Sequence, residues 1–159
     1  MSGAVPRVVT IKRPITILLL LAVTAAIAAV TVWMSGKSYS SLDPIPFEDV
    51  RFLAERLRTR PIATHILALL VVPIIANVLL FVPWGMLMFI ALYTVDRPTL
   101  QTYVLTILLG LSYTLAIEAY QYFLPSRVAS INDVIWNTSG TVLGALLGHA
   151  RLRLRLEFL

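Results

Sequence analysis

Cysteine is absent from the 159-residue chain, which excludes disulfides, thiolate metal sites and cysteine nucleophiles, and leaves the redox compartment unread. Charge is scarce. Asp, Glu, Lys and Arg make up 13% of residues, against about 25% in an ordinary soluble domain. The two histidines, His65 and His149, stand apart with no second ligand at a metal spacing, so neither is assigned a metal. No nucleophile elbow, phosphate loop or metalloprotease helix occurs, and no internal repeat or low-complexity stretch. No cofactor is therefore expected.

Apolar residues are plentiful instead, at 58%, with a mean hydropathy of +0.86. This is the composition of an integral membrane protein. The net charge of +5 does not point to nucleic acid, because the basic residues flank the apolar runs, where Lys and Arg set topology and meet anionic head groups.

The runs predict an all-α, polytopic membrane domain of about four spans with both termini cytoplasmic. A basic N-terminus (1–14) carries Arg7, Lys12 and Arg13, and the first span follows from Ile15 to Met34. Ala26-Ile27-Ala28 resembles a signal cleavage site, but the run exceeds the roughly 7–15 residues of a signal peptide, so an uncleaved anchor is preferred. The loop 35–61 is read as external. Within it, PFEDVRFLAERLR places Val50, Leu53, Ala54 and Leu57 on one face, a short amphipathic helix on the outer surface. Ile62 to Tyr93 contains Pro73 and Pro83, and the preferred reading is a broken segment (Ile62–Ala76) at the outer leaflet followed by a span from about Asn77; a re-entrant hairpin and one long tilted helix are the alternatives. A third span runs from Thr99 to Phe123 and a fourth from after Ile131 to Ala150, completing a membrane domain of 15–150 before a basic tail, 151–159.

Polar residues concentrate where the third span ends and the fourth begins. Glu118 is their centre: a carboxylate inside a span costs roughly 2.5–3.5 kcal/mol, which marks it as a candidate site in need of partners. Thr114 and Gln121 share its helical face, and Asp133 and Asn137 start the next span one turn apart. Asn77, at the start of the second span, and Arg127, on the loop that joins the third span to the fourth, complete a polar pocket expected in the outer leaflet. Each has a structural alternative: Ser130-Ile131-Asn132-Asp133 reads as a capping box, Asn77 and Asn137 as interhelical hydrogen bonds, and Glu118 with Arg127 as a fixed pair. Gly140, Gly144 and Gly148 recur every fourth residue, a spacing that serves internal helix packing, the favoured reading, or homo-oligomerisation.

The stretch Asn77-Val-Leu-Leu-Phe-Val-Pro-Trp-Gly85, followed in order by Glu118, Gln121, Arg127, Asp133, Asn137 and Gly140, resembles the VanZ-like family of bacterial membrane proteins over about Pro46 to Gly148. Trp84 departs from the smaller or aliphatic residues common there. The resemblance implies a multi-pass protein of the bacterial cytoplasmic membrane, and the family's name comes from a member associated with resistance to the glycopeptide teicoplanin. The leading expectation is a non-enzymatic protein that binds membrane lipids, a lipid-linked cell-wall precursor or a lipophilic glycopeptide. The alternatives are an intramembrane enzyme using Glu118 and Asp133 as acid and base, and a structural subunit of a membrane complex.

Overall fold

A computed structural model describes residues 13–33, 41–59, 64–94, 96–124 and 128–156. The fold is all-α, as expected: α1 (Arg13–Trp33), α2 (Glu48–Thr59), α3 (Thr64–Leu92), α4 (Thr99–Tyr122) and α5 (Ile131–Leu156). Among the described residues, three stretches are long and apolar enough to cross a bilayer: Arg13–Thr31, Val71–Leu92 and Thr99–Tyr122. Their outer faces carry bare hydrocarbon, including Leu18, Leu79 and Leu108, all more than half exposed. In water such a belt would aggregate; in lipid it is the solvent-facing surface.

α3 differs from the broken segment preferred on sequence. It runs as one 29-residue helix through Pro73 and Pro83. Both prolines lie on the exposed side of the helix. The opposite side packs on α5, so tertiary contacts hold the helix together across the hydrogen bonds that proline removes. At 1.5 Å per residue α3 is about 44 Å long, more than a ~30 Å hydrocarbon core, which requires tilt or an end outside the core.

Among the described helices, α3 and α5 share the most extensive contact. A methyl group at Gly140 would overlap the Val78 carbonyl oxygen, and one at Gly144 the Val82 carbonyl oxygen. Gly85 returns the fit by lying against the Thr141 backbone. Small residues at this spacing let the backbones touch, which is how helices bind where hydrocarbon offers no hydrophobic drive.

α1 is held by aromatic side chains. Trp84 is buried, stacks on Tyr113 with ring centroids 5.7 Å apart, and donates from Nε1 to Thr24 Oγ1 at 3.0 Å. Tyr113 donates its hydroxyl to the Thr24 carbonyl at 2.7 Å. The tryptophan that departs from the family pattern is thus the core of the α1 dock. Trp84→Phe removes the bond to Thr24 and part of the buried indole, so thermal unfolding in detergent should show a loss above the ~0.6–1.7 kcal/mol of a single interhelical bond in membranes.

β1 (Ser41–Asp43) pairs in parallel with β2 (Val128–Ser130), with Leu42 opposite Ala129. This ladder gathers the loops after α1 and α4 at one end of the bundle, beside α2. At the other end Arg13 reaches the Ala91 carbonyl, Arg97 caps α3 through the Leu92 carbonyl at 2.7 Å, and Phe89 contacts the rings of Tyr93, Tyr103 and His149.

Candidate functional site

Where the third apolar helix ends, Glu118 is 7% exposed and accepts the Ser130 N–H through Oε2 at 2.8 Å. Ser130 immediately precedes α5. The acid of one helix therefore meets a backbone amide at the positive end of the next. Ser130 Oγ in turn accepts the Asn132 N–H at 3.2 Å, the side-chain half of the capping motif read from sequence. Asp133 of that motif also engages another helix, because its Oδ1 accepts from Asn77 Nδ2 at 2.6 Å.

Deeper along the bundle, Asn137 donates from Nδ2 to Thr114 Oγ1 at 2.9 Å. Asn137 is 3% exposed, and its carbonyl oxygen Oδ1 has no hydrogen-bond partner among the described residues. Gln121 donates from Nε2 to the Thr31 carbonyl at 3.2 Å and so bridges α4 to α1.

Asn77, Glu118, Gln121, Asp133 and Asn137 all line one cavity of about 330 Å³. Apolar side chains complete the wall, among them Val30, Val72 and Leu80. α1, α3, α4 and α5 each contribute. Two carboxyl groups face this space, and none of its lining residues among those described is a lysine or arginine. Arg127 lies outside the described residues. The arrangement offers mostly acceptor oxygens, which suit a group rich in N–H or O–H donors.

Gly140, Gly144 and Gly148 lie elsewhere, on the α3 seam, where they set the distance at which Asn77 meets Asp133. His65 is exposed in the first turn of α3, and His149 Nδ1 lies 2.8 Å from the Tyr103 hydroxyl at the far end. No cluster of three His, Asp or Glu occurs among the described residues.

Two participants escaped the sequence reading. Thr31 sits in an apolar run and gave no signal. Asn132, 1% exposed, accepts the Phe47 N–H at 2.6 Å and donates to the Ile45 carbonyl at 3.3 Å, tying the loop before α2 to the start of α5. Its place in the capping motif was the only hint.

Apolar helices with a bare hydrocarbon surface, closing on a polar interior, define a helical integral membrane protein. The chain belongs to the VanZ/LLP1 family, whose model matches residues 15–152. No curated protein and no solved structure matches it.

Proposed function

We propose that the cavity receives the donor-rich head group of an amphiphile, such as a lipid-linked envelope component, at the outer leaflet of a bacterial cytoplasmic membrane. The observation that carries this reading is a buried acceptor without a partner, Asn137 Oδ1, on the wall of a space that two carboxyl groups also face. A buried unpaired acceptor costs about 1–3 kcal/mol, and a bound donor would recover it. At about 330 Å³ the cavity is at the low end of small-molecule pockets, roughly 300–1,000 Å³, so it suits a head group rather than a whole glycopeptide.

In this proposal α5 is the fourth span. Its 26 residues reach about 39 Å, and Leu143, Leu146 and Leu147 present an exposed apolar stripe. Both termini are then cytoplasmic, and the β1–β2 end faces outward. A contribution to teicoplanin-type resistance is part of the same proposal.

Glu118→Gln tests it. A glutamine carbonyl still accepts the Ser130 N–H, so that bond is kept while the second carboxyl oxygen is replaced by an amide donor. Purified protein titrated with phosphatidylethanolamine, whose head group carries an ammonium, should bind at least about tenfold more weakly after the substitution, a difference near 1.4 kcal/mol. Phosphatidylglycerol serves as the comparison. Unchanged affinity, together with unchanged drug sensitivity in cells that carry normal amounts of the variant, would refute the proposal.

A second reading is favoured by the bonds themselves. Asn77–Asp133, Asn137–Thr114 and Glu118–Ser130 all join separate segments, as a purely structural network does. In that case Glu118→Gln and Asn77→Leu lower the unfolding temperature without a separable loss of lipid binding.

A further inference from the structure

We propose that the seam between α1 and α4 is a lateral opening through which the hydrocarbon chain of the bound amphiphile leaves the cavity, with Gln121 and Thr31 as its threshold. The inference rests on the head-group reading above and adds where the rest of the ligand lies.

A second space, of about 220 Å³, opens between α1 and α4. Ala28 forms its floor on α1; Ala116, Ile117 and Tyr120 face it from α4. Thr31 and Gln121 line this space and the polar cavity alike. One side of that shared boundary offers carboxyl and amide groups, and the other offers methyl groups and rings. A molecule with a polar head and an apolar chain matches the pair in one orientation only.

The seam is also suited to opening. Gln121 Nε2 bonds the Thr31 backbone carbonyl at 3.2 Å, and a side-chain rotation of Gln121 releases it without disturbing either helix. Small side chains, Ala28 and Ala116, keep the groove from being filled by the protein itself. Tyr120 is 53% exposed, so the groove continues to the lipid-facing surface.

Another apolar space, lined by Pro44, Leu115 and Ala129 among others, also reaches Glu118. It shares no threshold with the polar cavity except Glu118 itself, whose carboxylate is held by Ser130. It is the competing route.

The test uses phosphatidylethanolamine with a diazirine on its acyl chain, diluted into phosphatidylcholine vesicles that contain the full chain. Photolabelling that unlabelled phosphatidylethanolamine displaces should map to Ala116–Gln121 and to Ala28–Thr31. Ala116→Trp, from an exposed position on α4, and Ala28→Trp, from the other wall, should each reduce this labelling at least about tenfold, a difference near 1.4 kcal/mol. Neither should change the binding of glycerophosphoethanolamine, which has no chain. Labelling that persists in both tryptophan variants, or that maps to Leu115 and Val134, overturns the seam while the head-group reading stands. Failure of glycerophosphoethanolamine to bind the unsubstituted protein overturns both.

Discussion

Gly144→Ala is expected to cost about 3 kcal/mol or to prevent accumulation of folded protein, whereas Gly148→Ala should cost less than about 1 kcal/mol. The contrast follows from what each added methyl would meet. At Gly144 it would overlap the Val82 carbonyl oxygen and lie 2.7 Å from the Met86 nitrogen, all backbone atoms of α3 that cannot turn aside. At Gly148 nothing overlaps: the Met86 carbonyl oxygen lies at 3.0 Å, so the seam would have to widen by only a few tenths of an ångström, and the Phe89 side-chain carbons at 3.4 Å are in ordinary contact. Gly140 belongs with Gly144, since its methyl would strike the Val78 carbonyl oxygen. Thermal unfolding in detergent should therefore rank Gly140→Ala and Gly144→Ala well below Gly148→Ala. Equal effects at all three positions, or an altered oligomeric state with unaltered monomer stability, would mean that the stripe joins separate copies instead.

Asn132→Ala should lower stability by about 2–4 kcal/mol, the sum of two lost partners at about 1–3 kcal/mol each, reduced where water reaches them. Its side chain is the tie between the Ile45–Phe47 turn and the first turn of α5. Phe47 is held there at φ 59°, a strained angle for a bulky residue, with its ring edge-on to Trp136 at 6.0 Å. Release of that strain offsets part of the cost. Asn132→Asp keeps an acceptor for the Phe47 N–H but buries an acid against the Ile45 carbonyl oxygen at a position 1% exposed, so its effect should be at least as large. Unfolding midpoints, together with the rate of protease cleavage within 41–59, measure both. A cleavage rate that Asn132→Ala leaves unchanged would show that the β1–β2 ladder alone secures the loop.

Local composition was enough to establish that this chain lives in lipid, that α1 and α4 start and stop, and α5 starts, close to where charge, proline and cap residues place them, and that an amphipathic helix follows the first span; α5 itself continues to Leu156, past the Ala150 end expected from its apolar run. These are properties of short windows, in which apolar length and periodicity do not depend on what lies opposite. The polar residues of the candidate site could be picked out for the same reason: each is conspicuous against hydrocarbon. What each one touches could not be read this way. Glu118 meets the Ser130 amide, Asn77 meets Asp133, and Thr31 joins from α1 because close glycine contacts and the Trp84 dock set the distances and registers between helices. The same contacts carry α3 straight through two prolines that, judged alone, end a helix. Partner choice and helix continuity depend on atoms far apart in the chain, and only their packing brings those atoms within bonding distance.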